Sequence, residues 1–239
     1  MYKVSFKLMG RSQPLSTKAT EKTAGSAISV SFVAAMLSLL LFAWLAEEVL
    51  ERDTIRFDGF VRSAVHGWAS PGLTSFMRTM TWIGSLEFLV PFVAVCVATF
   101  LYVRCRRAAF LLLISVAGAI PLDAVLKVAF RRARPVPFFD IPAPQSYSFP
   151  SGHALFSFCI FGVLGAITAA RTRRVWLRIV IWIVAGAMIF LIGLSRIYLG
   201  VHYPSDVVAG YLAAAIWVST IAVVDRWRRR RASERDMRV

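Results

Sequence analysis

An all-α, polytopic membrane protein with six transmembrane helices in one bundle is the fold class this sequence predicts, and three observations predict it. The first is composition: 58% of the 239 residues are hydrophobic and only 17% charged, with a mean hydropathy of +0.65, too apolar for an ordinary soluble domain of this size. The second is the recurrence of uncharged runs, from Ala24 to Ala46, Phe88 to Val103, Ala108 to Leu122, Ala154 to Ala170, Ile179 to Ser195 and Val207 to Val224. A helix crosses the hydrocarbon core in about 20 residues. The third is the distribution of basic residues, which alternates between successive connections.

Each element follows from these runs. The first is longer than a secretory h-region, and Ala46-Glu47-Glu48 offers no small-x-small cleavage pattern, so it is expected to be an anchor. The second and third reach spanning length if Glu87, Asp123 and Lys127 lie at the interface or inside the bundle. Between the first two, residues 47–85 carry Phe57, Phe60, Val61, Val65 and Trp68 at near-helical spacing among Arg56, Asp58, Arg62 and His66. That pattern predicts an amphipathic helix on the outer surface. Residues 131–150 hold five prolines and the aromatics Phe138, Phe139, Tyr147 and Phe149, and are expected to form an extended outer loop that leads into the fourth span. With no internal repeat or linker, the chain divides into a leader over 1–23, a six-helix domain over 24–225 and a basic tail over 226–239.

The formal net charge of +15 raises nucleic acid as a partner, but 19 of the 28 lysines and arginines fall on one side of the expected spans. By the positive-inside rule both termini are cytoplasmic, in an inner or plasma membrane, and the connections after spans one, three and five face outward. The tail from Arg226 to Arg231 is then a stop-transfer or anionic-lipid contact, and membrane lipids rather than nucleic acid are the expected neighbours. Cys96, Cys105 and Cys159 lie in or beside spans without metal-ligand spacing, so they are read as apolar filler, with no disulfide or metal site.

Polar residues beside spans are costly unless they face a wet cavity, and here they gather at the outward ends. Lys127 and Arg134 close the third span, Ser151-Gly152-His153 opens the fourth, and Arg196, His202 and Asp206 bracket the turn from the fifth to the sixth. Three cations around one point suit the non-bridging oxygens of a phosphate. Ser151-Gly152 at a helix start adds backbone donors, and glycine permits close approach. Two histidines supply a neutral imidazole to attack phosphorus and an imidazolium to protonate the leaving oxygen. Asp206, four residues after His202, is placed to bond one ring nitrogen and leave the other free.

The segments Lys127 to Pro135 (KVAFRRARP), Pro150-Ser151-Gly152-His153 and Ser195 to Asp206 (SRIYLGVHYPSD) resemble, in spacing and order, the tripartite signature of the type 2 phosphatidic acid phosphatase superfamily. The resemblance runs from about Phe88 to Val224. It implies an integral membrane lipid phosphatase in which His202 is the nucleophile that forms a phosphohistidine, Asp206 orients it and His153 protonates the leaving group. Lys127, Arg134, Ser151, Gly152 and Arg196 would hold the phosphate. It further implies a metal-independent reaction without cofactor, on phosphatidate, phosphatidylglycerol phosphate, undecaprenyl diphosphate or the 1-phosphate of lipid A, with undecaprenyl diphosphate the leading candidate. Rival readings are a transporter, which would break its spans at mid-membrane, a non-catalytic lipid-binding protein, and a vanadate-dependent peroxidase, whose compared members are soluble. Asp123 is expected to pair with Lys127, four residues on. Arg131 and Arg132 are left between a second phosphate, anionic headgroups and plain solvation, and His66 and Glu87 have no assigned role. The oligomeric state is not legible.

Overall fold

The computed structural model describes residues 17–236 apart from 140 and 143. Among these described residues nine α-helices follow one another: α1 Thr17–Leu50, α2 Ile55–His66, α3 Pro71–Ile83, α4 Leu86–Tyr102, α5 Arg106–Phe130, α6 Gly152–Ser157, α7 Val163–Arg171, α8 Val175–Tyr198 and α9 Pro204–Asp236. A π-helical turn, Phe158–Gly162, joins α6 to α7, so the fourth span is one helix from Gly152 to Arg171 with a π-bulge inside it. Of the leader expected over 1–23, residues 1–16 lie outside those described, and α1 already begins at Thr17; the last three residues of the tail lie outside them too.

Among the described residues five helices are long and apolar enough to span a membrane, and α3 with α4, bent by 54° at their junction, make a sixth when counted as one span. The apolar run from Phe88 forms α4, as expected, and α3 adds a bent first part to this second span. Gly84 and Ser85 separate its two parts. The helix expected from the near-helical spacing of Phe57 to Trp68 is present as α2, and a second helix follows it within residues 47–85. Ser70, whose side chain accepts from Leu73 N at 3.3 Å, starts a new helix with Pro71 in its first turn. Of the expected apolar positions, Phe57, Phe60 and Trp68 are exposed, whereas Val65 is buried, as is Asp58 beside them on α2.

The core lies between α4, α5, the fourth span and α9, around Leu112, Ala119, Leu155, Cys159 and Ile160. Val30, Leu40 and Trp44 of α1 and Ile179, Ile183 and Phe190 of α8 face outward, as side chains that meet lipid do in a helix bundle. Cys159 is buried in the core, and Cys96 and Cys105 are partly buried against it.

The ends of three spans converge at one end of the bundle. α5 stops where Arg131 adopts a left-handed φ of 45° and its N–H returns to Lys127 O at 2.9 Å. α8 stops at Gly200, φ 74°, where a Cβ would stand 2.6 Å from Phe138 Cδ2; glycine is required there on both counts. Val201 and His202 then donate to the Arg196 carbonyl at 3.1 and 3.3 Å. The chain thus doubles back at His202 before α9 begins.

Candidate active site

His202 occupies that turn, almost fully buried. Its Nδ1 lies 3.3 Å from Asp206 Oδ2. The contact expected from a four-residue spacing is present, although His202 precedes α9 rather than belonging to it. Asp206, fully buried, is held from four directions: Oδ2 also accepts from Ser148 Oγ at 2.5 Å and Tyr203 N at 2.9 Å, and Oδ1 accepts from Arg132 Nη1 at 2.6 Å. A carboxylate so fully engaged has one orientation, which sets the imidazole to donate from Nδ1 and keep its lone pair on Nε2.

That second nitrogen meets Arg134 Nη1 at 3.0 Å. Arg134 is clamped in place, donating to Val201 O at 2.9 Å, to Ser146 O and Oγ at 2.7 and 3.0 Å, and to Tyr147 O at 3.3 Å. A planar guanidinium is suited to such a fork. Burial pushes His202 from its ordinary 6.5 down to about 4, against the opposing pull of Asp206. The ring is therefore neutral at physiological pH.

The second segment packs directly on the third, since Ser151 N donates to Asp206 O at 2.9 Å. Ser151 is fully buried, and its Oγ has no hydrogen-bond partner; it caps no helix N–H. Gly152 faces the first segment. A Cβ added to it would stand 3.2 Å from Lys127 Nζ and 3.1 Å from Asp123 Oδ1, so any side chain there would push the lysine head back by a few tenths of an ångström. Lys127 and Asp123 pair at 2.5 Å, as their spacing predicts.

His153 and Arg196 turn toward α3. The Arg196 Nη1 donates to Thr81 Oγ1, and His153 bonds the Thr81 backbone. Arg196 is nine-tenths buried, and its Nε has no partner. The eight residues singled out in the sequence thus form one contiguous cluster. Three of its neighbours escaped sequence reading: Ser148, Thr81 and Asp58.

Asp58 explains Arg132. Its carboxylate, fully buried, accepts from Ser205 N and Oγ at 2.9 and 2.6 Å and from Arg132 Nη2 at 2.7 Å. Arg132 lies over the Tyr203 ring at 4.2 Å and joins Asp58 to Asp206. Of the roles left open for it, neither a second phosphate nor solvation describes this placement; Arg131, by contrast, is exposed and bonds Val128 O at 3.2 Å. His66 stacks on Phe138 at 4.0 Å, and Glu87 sits exposed in the first turn of α4, where a helix favours an acid. Tyr198 packs against Phe139 and bonds Thr74 Oγ1 at 2.6 Å.

The family model described as the PAP2 superfamily matches residues 108–230. The chain belongs to the PAP2 superfamily. It is 28% identical over 177 residues to phosphatidylglycerophosphatase B of Bacillus subtilis, a match that covers 73% of this chain and 87% of that one. To the undecaprenyl-diphosphatase of Sulfolobus acidocaldarius it is 33% identical over 156 residues, covering 63% and 66%. The crystal structure of a transmembrane PAP2 type phosphatidylglycerolphosphate phosphatase from Bacillus subtilis superposes with a TM-score of 0.71 at 26% identity, over 79% of this chain and 93% of that one. PAP2 membership thus rests on sequence and fold alike, and the polar cluster lies at the span ends of a PAP2 bundle.

Proposed function

We propose that this PAP2 protein hydrolyses the phosphate monoester or diphosphate of a membrane lipid through a phosphohistidine on His202. The observation that carries the reading is the pair of contacts on that ring. Asp206 and its donors hold Nδ1, and Nε2 points at a clamped guanidinium, so a phosphorus brought to Nε2 meets a cation on its oxygens at once.

In the first step Nε2 forms a bond to phosphorus as the bond to the lipid oxygen breaks, and His153 gives that oxygen its proton. In the second, water attacks the phosphohistidine, His153 takes the water's proton, and phosphate leaves with the ring restored. Lys127, Arg134, Arg196 and the Ser151-Gly152 backbone meet the negative charge, and no metal enters these steps. Arg132 and Asp58 act through Asp206 as positioning residues. The charge distribution of the sequence supports a site on the outer side of an inner or plasma membrane, with both termini cytoplasmic. Undecaprenyl diphosphate and phosphatidylglycerol phosphate are the first substrates to offer, because relatives are named for activity on them.

The test uses full-length protein in detergent with radiolabelled lipid phosphates. Wild type should release phosphate in the presence of chelator and, on acid-free quenching, carry label that is stable to base. His202→Ala should do neither, with turnover reduced by at least about 10⁴-fold. Undiminished phosphate release by a folded His202→Ala protein would overturn the assignment.

A further inference from the structure

A cavity of about 480 Å³ is walled by Arg78 and Thr81 of α3, Arg196 of α8, Phe139, and Val201, the residue before His202. Two of its cations are not engaged as arginines usually are. Arg196, nine-tenths buried, leaves its Nε without a partner. Arg78 stands one helical turn before Thr81, the residue that Arg196 bonds, and is exposed. Among the described residues Arg78 makes no hydrogen bond or ion pair, in contrast to Arg62, Arg132 and Arg134. A second cavity, of about 510 Å³ along Thr74 and Ser75, shares Arg78 and Phe139 with the first. Arg78 therefore stands at the seam of two open spaces, one of which ends on Arg196.

We propose that Arg78 and the Nε side of Arg196 form a subsite for a second anionic phosphate on the substrate head group, next to the one that reaches His202. The inference rests on the phosphatase reading and deepens it, since it makes this chain prefer lipids with two anionic phosphorus centres over simple monoesters. The chemistry is that of a partly desolvated guanidinium pair: an unpartnered buried N–H carries a cost that an anionic oxygen removes, and a charge-assisted hydrogen bond contributes more than a neutral one. The apolar side of the cavity, Phe139 with Leu199 and Val201, leaves the anion no competing protein donors on that wall. Two substrate types supply such an anion. In a lipid diphosphate it is the adjoining phosphate; in a phosphatidylglycerol phosphate it is the phosphodiester beyond the glycerol.

The experiment compares wild type, Arg78→Gln and the charge-retaining Arg78→Lys, all full length in detergent. Phosphate release from phosphatidate, undecaprenyl diphosphate and phosphatidylglycerol phosphate is measured, together with binding of methylenediphosphonate against inorganic phosphate. The kcat/KM of at least one two-anion lipid relative to that of phosphatidate should fall about tenfold or more in Arg78→Gln, with partial recovery in Arg78→Lys. A loss confined to undecaprenyl diphosphate, with weaker methylenediphosphonate binding, assigns the adjoining phosphate. A loss confined to phosphatidylglycerol phosphate assigns the phosphodiester. Unchanged ratios for both lipids, or an equal loss on all three, overturns the subsite. The binding arm needs no turnover: if wild type hydrolyses nothing, a tighter hold on methylenediphosphonate than on phosphate that vanishes in Arg78→Gln still supports the subsite, and its absence rejects it.

Discussion

Arginine meets aspartate at both ends of this bundle, and the two meetings differ in almost everything except chemistry. At the site end Arg132 bridges Asp58 and Asp206 at 2.7 and 2.6 Å, with both carboxylates at 0% exposure. At the other end Arg107 of α5 pairs with Asp225 of α9, and Arg229 lies 3.6 Å from the same carboxylate; the side chains of Arg107 and Arg229 are 52% and 57% exposed. Water can reach the second cluster, through its two arginines and the 18% of Asp225 left exposed. In the first, losing one group strands another in a low-dielectric interior. Equal residue types therefore do unequal work: the exposed pair decorates a helix junction, while the buried bridge fixes the carboxylate on which the His202 ring rests.

Arg132→Gln breaks that contrast most strongly. It leaves Asp58 and Asp206 without their shared cation, and removal of one partner from a buried pair costs about 3–5 kcal/mol. Thermal unfolding in detergent should show a large fall in Tm, and phosphate release at a temperature where the variant is still folded should show a reduced kcat. A variant as stable and active as wild type would remove Arg132 and Asp58 from the positioning role.

A smaller effect comes from pH. In the unfolded chain His202 takes a proton at its ordinary 6.5, whereas in the folded chain burial delays this to about 4. Stability therefore declines as pH falls from about 6.5 toward 4, because over that window the unfolded state binds the extra proton. Tm measured at neutral pH and near pH 4.5 should fall less in His202→Gln than in wild type. The smallest effect belongs to Arg107→Ala. An exposed ion pair contributes about 1 kcal/mol or less, so Tm should shift little and phosphate release should hold, and raised salt should erase even that difference.

Sequence patterning anticipated the bundle because a span announces itself by length and lack of charge, a property of each segment alone. It anticipated the cluster of Lys127, Arg134, Ser151, Gly152, His153, Arg196, His202 and Asp206 because those residues stand at span ends with regular spacing. The neighbours it missed depend on contacts between segments far apart. Ser148 is one hydroxyl in a proline-rich loop, and nothing local indicates that Arg132 O will draw its backbone in at 2.9 Å. Thr81 is an ordinary threonine on a helix until Arg196 reaches it, 115 residues later in the chain. Asp58 did leave a trace. It lies three and seven residues before Val61 and Val65, on the face of α2 that turns inward, so an acid stood on an apolar stripe. Taken only as one of the polar residues between Phe57 and Trp68, it carries no such signal.

The wall formed by α2 and α3 also bears on where the working unit begins. Residues 108–230 carry the family's pattern, yet Asp58, Arg78 and Thr81 all precede that stretch. A fragment trimmed to the pattern would keep every motif and lose the clamp behind Asp206 and the roof over Arg196. Any transplant of this chain's chemistry into another bundle must carry the segment from Thr54 to Gly84 with it.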